Sequence, residues 1–213
     1  MFQSTSDREQ GRRLRLGTAV GIVAALWAVY TVVYTSPLHD TLPGVLLELV
    51  PGALGVGVLV ATGFSWQDCY LRLGPISRKG LLTLIAVCPV LLGPLLSSQW
   101  VGFRPLPMLV YGPASGFMQE LFFRATLLPA LMRVFRHRPW LAILVHAALF
   151  GLWHVPRVLM TAPVEPVTAT FAVAVVTFLA GLGWGWQVQH DETIVWTVAQ
   201  HILFLMLMSL FGV

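Results

Sequence analysis

PMLVYGPASGFMQELFFRATLLPALMRV, residues 107–134, is the longest apolar run in the chain, yet it carries a carboxylate and a guanidinium near its middle. Glu120 and Arg124 are four residues apart, so both side chains project from one helix face and can pair. An ionisable side chain at membrane depth costs roughly 2.5–3.5 kcal/mol on insertion scales, so such groups seldom occur without a function. The run therefore predicts a membrane-spanning helix that carries a polar functional site.

The composition of the whole chain is typical of a membrane protein. Of its 213 residues, 57% are hydrophobic and 10% are charged, whereas soluble domains carry about 25% charged residues. A span needs about 20 mostly apolar residues, and seven stretches qualify, roughly 17–36, 43–64, 80–98, 107–134, 140–160, 168–188 and 194–213. The loops are short, so we predict an all-α, polytopic membrane helical bundle as one domain over residues 16–213, after a polar tail at residues 1–15.

The positive charges are divided unequally between the two ends of the predicted spans. With the N-terminus inside, only Arg104 and Arg157 lie on the outer side. Ten basic residues lie on the inner side, namely Arg8, Arg12, Arg13, Arg15, Arg72, Arg78, Lys79, Arg133, Arg136 and Arg138. Cytoplasmic loops of membrane proteins carry such an excess. The net charge of +4 thus indicates a cytoplasmic N-terminus and anionic lipid nearby, and gives no support to nucleic-acid binding.

Later spans add histidines that can meet the Glu120 carboxylate. His154 lies in the fifth span and His201 in the seventh. A carboxylate and a histidine that face one water suffice for general-base hydrolysis, and a second histidine can stabilise the oxyanion. The His-Glu-x-x-His spacing of zinc proteases is absent, so we expect no metal and no other cofactor. Glu48 in the second span either snorkels or caps a bundle face, or contributes to this site.

Three motifs within residues 100–213, about half of the chain, resemble those of the CPBP family of glutamic-type intramembrane proteases, the CAAX proteases and bacteriocin-processing enzymes. The family patterns are Glu-Glu-x-x-x-Arg, Phe-x-x-x-His and His-x-x-x-Asn. The matching positions, in the same order and spacing, are Gln119, Glu120 and Arg124, then Phe150 and His154, then His201 and Leu205. Each motif alone is weak, and the three in register make the resemblance specific.

The resemblance implies a bundle of about seven membrane helices around a polar cavity, and a role for each matching position. In the family, a glutamate and a histidine activate water. Carried over, Gln119 takes the position of that glutamate and His154 is its partner. His201 is the oxyanion donor, and Glu120 with Arg124 is the supporting pair. All five count as catalytic positions.

The resemblance also implies a substrate and a location. The substrate is a membrane-anchored or hydrophobic C-terminal peptide, for which Phe150 and Leu205 are the candidate binding residues. The protein then works within the lipid bilayer, and we expect the bacterial inner membrane. The sequence leaves the oligomeric state open.

Two positions depart from the family pattern. Leu205 replaces the asparagine that donates to the oxyanion, and Gln119 replaces the glutamate that activates water. Glutamine accepts no proton near neutral pH. Three explanations stay open: an engineered Glu→Gln exchange, a divergent protease in which Glu120 or a histidine is the base, or a pseudoprotease that binds hydrophobic peptide or lipid in the same cavity.

Overall fold

Helices account for nearly all of the described chain. A computed structural model describes residues 5–39, 41–96, 99–161 and 166–211. The helices are α1 Thr5–Thr35, α2 Leu42–Ala61, α3 Arg78–Leu96, α4 Gly112–Phe122, α5 Leu128–Val134, α6 Pro139–Thr161, α7 Pro166–Asp191 and α8 Val195–Met208. Each of the seven predicted stretches contains helix, with α4 and α5 in the fourth. The predicted all-α bundle is confirmed, and α1 also includes most of the polar N-terminal tail.

Several of these helices are suited to a bilayer. Four are long and apolar enough to cross a membrane, at Leu16–Thr35, Leu42–Ala61, Pro139–Thr161 and Pro166–Asp191. The apolar helix α8 has 14 residues, which at 1.5 Å per residue is about 21 Å, shorter than a hydrocarbon core of about 30 Å. It ends at Met208 because the chain turns there, and Phe211 pairs with Trp100 in a short bridge. The last span is therefore shorter than the apolar pattern predicts.

Two π-helical turns interrupt the helical segment at residues 107–134, and a proline follows each turn. Pro107–Tyr111 precedes Pro113, and Phe123–Leu127 precedes Pro129. In a regular α-helix a proline lacks its N–H, and its ring collides with the carbonyl four residues back. A wider turn ahead of the ring relieves this collision, and the amide after each turn bonds to the carbonyl five residues back. The second turn contains the motif arginine, so proline chemistry sets the direction of that side chain.

Small residues bring α2 into close contact with the helical segment at residues 107–134. A Cβ atom on Gly52 would lie 3.1 Å from Leu121 Cγ, and one on Gly55 would collide with the Thr126 side chain. The Thr126 hydroxyl donates to the Gly52 carbonyl oxygen at 3.3 Å. Membrane helices use such residues for close approach. The contact holds Glu48, one turn before Gly52, beside α4.

The other side of the bundle is built by α6, α7 and α3, and α7 packs against both neighbours. A Cβ atom on Gly181 of α7 would lie 3.1 Å from Ala147 Cα of α6, and one on Gly185 would lie 3.2 Å from His146. Between the two sides lies an aromatic core with fully or almost fully buried members, Tyr30, Phe122, Phe123, Phe150, Trp153 and Trp184. The motif residues project into or beside this core.

Candidate active site

Glu120 connects α4 and α8 at the centre of the bundle. Its Oε1 atom lies 3.1 Å from Arg124 Nη1 and 2.8 Å from His201 Nδ1. All three residues are buried. An ionised carboxylate only accepts hydrogen bonds, so the Nδ1 atom of His201 carries a hydrogen and donates it. The carboxylate thereby fixes the orientation of an imidazole that is 81 residues away in sequence.

Aromatic rings form the rest of the Arg124 environment. Its Cζ atom lies 4.2 Å from the Phe150 ring centre and 5.0 Å from that of Trp184. Within the described residues, Arg124 Nε and Nη2 have no hydrogen-bond acceptor. A desolvated cation over an aromatic face gains about 2 kcal/mol or more, which offsets part of the cost of burial. Trp184 also lies 4.7 Å, centre to centre, from the His201 ring.

His154 lies on α6, half-buried, beside this cluster. Its Nδ1 atom is 2.9 Å from the Phe150 carbonyl oxygen. Because a carbonyl can only accept, Nδ1 carries the hydrogen, and Nε2 of the neutral ring is the proton acceptor. The ring packs edge-on against Tyr34, 5.8 Å away, and Trp153, 4.9 Å away. These contacts give His154 a fixed tautomer and orientation, as general-base chemistry requires.

Gln119 belongs to a second polar cluster. Its Nε2 atom donates to Ser115 Oγ at 3.1 Å, and Ser115 Oγ donates to Glu48 Oε2 at 3.3 Å. Tyr30 donates to the same Glu48 oxygen at 3.2 Å, and His39 Nδ1 is bonded to Glu48 Oε1. Glu48 is completely buried. Its role, left open by the sequence, is therefore within the bundle and not at the interface.

A cavity of about 400 Å³ opens beside the second cluster. Its polar lining includes His39, Ser115 and Gln119, and its apolar lining includes Leu205 and Val45. The Gln119 Oε1 atom is buried and has no hydrogen-bond partner within the described part of the chain. The cavity thus combines apolar walls with an amide side chain and an imidazole.

The structure brings some of the sequence-predicted residues into direct contact and gives others different partners. Glu120, Arg124 and His201 are in direct contact. Leu205 lines the cavity with Gln119. Phe150 is buried under the Arg124 guanidinium. Within the described residues, the bonds of His154 and of Gln119 run to different partners, Phe150 and Ser115. No three His, Cys, Asp or Glu side chains among the described residues are grouped to hold a metal ion.

The model of one protein family, type II CAAX prenyl endopeptidase Rce1-like, matches residues 101–207, half of the chain. The chain belongs to this family. The resemblance to CAAX proteases is thereby confirmed, and the protein is an integral membrane protein of a protease family that acts on membrane-anchored, prenylated substrates. No curated protein and no solved structure matches the chain.

The Rce1-like region includes all seven motif positions but neither His39 nor Glu48. Of these two, only Glu48 is among the residues that the sequence suggests for the site, and Ser115 is not among them. The helical spacing could have indicated Ser115, because it lies four residues before Gln119 and therefore on the same helix face. No sequence pattern indicates His39, since it lies in the loop before α2 and reaches the cluster only because the chain folds back there.

Proposed function

We propose that this protein is an intramembrane endopeptidase that hydrolyses a peptide bond near the C-terminal or membrane-anchored end of a membrane-associated protein. The observation that carries the proposal is the contact between Glu120 and His201, at 2.8 Å, next to the ion pair with Arg124. Two family motifs from α4 and α8 thus form one buried polar centre. Placing such ionisable groups inside a bilayer costs free energy, which favours a catalytic role over packing alone.

The proposed roles of His201 and His154 follow from the hydrogen bonds that each imidazole ring makes. Glu120 accepts a hydrogen bond from His201 Nδ1 and so orients the ring, and the other ring nitrogen, when it carries a hydrogen, donates to an oxyanion. His154 can accept a hydrogen of the attacking water at Nε2, because Nδ1 is bonded to the Phe150 carbonyl. In the family pattern a glutamate shares this activation with the histidine. Gln119 cannot, so another basic group has to complete the pair.

The proposed substrate is a hydrophobic or prenylated tail. Leu205 and Val45 give the cavity apolar walls, and Arg104 at its lining supplies a positive charge for a terminal carboxylate. A C-terminal segment offers both features. The bilayer delivers such a tail laterally, and we expect the membrane to be the bacterial inner membrane.

The test compares protein C-termini in membranes of cells that express this chain or a variant. We expect new C-termini with the unaltered chain and none with His154→Ala, because the water then loses one acceptor. His146→Gln is the matched control on the same helix, since His146 is buried against Gly185 and away from the cavity. Unchanged cleavage by His154→Ala would contradict the site assignment.

A second candidate function is favoured by Gln119 itself. A pseudoprotease would use the same cavity to bind a hydrophobic peptide or lipid without cleaving it, and the unpaired Gln119 oxygen would accept a hydrogen bond from that ligand. Binding of a farnesylated peptide that is lost with Glu120→Ala, with no new C-termini from any variant, would favour this function. Cleavage by the unaltered chain would exclude it.

A further inference from the structure

A buried carboxylate lies one side chain away from Gln119. Ser115 Oγ accepts from Gln119 Nε2 at 3.1 Å and donates to Glu48 Oε2 at 3.3 Å. Glu48 is on α2, outside the region that the family model matches. The position that lacks a base is therefore linked by hydrogen bonds to a carboxylate from another helix.

The same carboxylate holds an imidazole at the cavity wall. Glu48 Oε1 is bonded to His39 Nδ1, and the His39 side chain is 14% exposed while that of Glu48 is fully buried. His39 and Gln119 line the same cavity of about 400 Å³. His39 also packs against the Tyr34 ring, 4.6 Å centre to centre, and Tyr34 contacts the His154 ring at 5.8 Å. Both histidines thus contact Tyr34, which lines the cavity.

We infer that His39, oriented by Glu48, is the base that completes water activation in this chain in place of the carboxylate missing at residue 119. The inference rests on the proposed function. His39 is the catalytic residue, because it faces the cavity where the substrate binds, and Glu48 is a positioning residue that acts through it. A carboxylate that accepts from Nδ1 fixes the tautomer whose other ring nitrogen can take a proton from water, as a general base requires.

The proposed step is an ordinary hydrolysis. The water oxygen bonds to the carbonyl carbon of the substrate while one water proton moves to the His39 nitrogen that does not face Glu48. The carbonyl electron pair moves to the oxygen, which His201 stabilises. The carbon–nitrogen bond then breaks, its electron pair remains on nitrogen, and that nitrogen takes the proton from His39. The products are a carboxylic acid and an amine, which exchange the remaining proton to become a carboxylate and an ammonium group, and the base is restored.

A purely structural role for Glu48 accounts for less of the geometry. Tyr30 and Ser115 already supply two hydrogen bonds to one of its oxygens. An anchor of the bundle has no need for a partner that is partly exposed in a cavity. A base does, because it must reach water and substrate.

The experiment uses the full chain and the appearance of new membrane-protein C-termini in expressing cells. We expect His39→Gln and Glu48→Gln each to reduce them at least tenfold. Adding Gln119→Glu to either variant should restore them, because it returns a carboxylate to the family position. A merely structural carboxylate at residue 48 would not be replaced by one at residue 119. His137→Gln, an exposed histidine after α5, is the control for the substitution itself.

The other outcomes separate this inference from the proposed function. Undiminished cleavage by His39→Gln would overturn the role of His39 and leave the protease function standing. Cleavage only after Gln119→Glu would also overturn it, since the unaltered chain would then lack a base. Absence of cleavage from the unaltered chain and from Gln119→Glu would overturn both. Loss in His39→Gln without rescue, with the variant still a folded monodisperse protein by size exclusion, would count against the inference.

Discussion

At the residue scale, the Glu120 and Arg124 pair illustrates why buried charges must be treated together. Both side chains are fully buried, and their atoms are 3.1 Å apart. Removing one partner leaves an uncompensated charge, which costs about 3–5 kcal/mol, whereas removing both can be almost neutral. We expect Glu120→Gln and Arg124→Met each to lower the free energy of unfolding by about that amount, and the double variant to lose less than the sum.

A double-mutant cycle in detergent, with unfolding followed by tryptophan fluorescence, measures this coupling. Trp184 lies 5.0 Å from the Arg124 guanidinium and is a natural probe. Additive losses in the double variant would show that the two charges are stabilised separately, by His201 and by the aromatic rings.

At the element scale, the close approach of α2 to the helical segment at residues 107–134 depends on glycine. A Cβ atom on Gly55 would collide with the buried Thr126 side chain, whereas one on Gly57 meets nothing within 4 Å. Overpacking a tight contact costs typically about 1–3 kcal/mol. Gly→Ala inside a helix otherwise gains about 0.5–1 kcal/mol. We expect Gly55→Ala to lower the unfolding free energy and the matched Gly57→Ala to raise it slightly.

The same pair of variants tests how α2 positions the site. Gly55→Ala displaces Glu48 from Ser115, so cleavage should fall by more than the loss of folded protein explains, and Gly57→Ala should leave it unchanged. Thermal unfolding and C-terminus analysis of the two proteins give both quantities. Equal stability of the two variants would show that α2 has room to move away.

At the scale of the whole molecule, the charge distribution predicts the orientation in the membrane. The loop after α2 should face the cytoplasm and the loop after α3 the opposite side. In a Cys69→Ser, Cys88→Ser background, we expect Gln99→Cys to react with an impermeant maleimide in intact cells. Gln67→Cys should react only after the membrane is opened, and both positions are exposed. The reverse pattern would contradict the predicted orientation.

Much of the architecture could be predicted from the sequence, because membrane insertion responds to local composition. Each of the seven apolar stretches contains a helix, and the four-residue spacing of Glu120 and Arg124 predicts their pairing. The end of α8 could not be predicted, since residues 208–211 are mostly apolar and the chain turns there into a pairing of Phe211 with Trp100, a residue distant in sequence. The family, too, followed from three short motifs in register.

By itself, then, the sequence determined the helical membrane class, the family and the identity of the motif residues. Only the tertiary structure decided which polar groups meet. Ser115 and Gln119 are one turn apart, but Glu48 reaches them through the glycines of α2, and His39 reaches Glu48 from a loop. Local patterns record which face of a helix a residue occupies. They do not record which helices are neighbours, because that depends on small-residue contacts distributed over the whole chain.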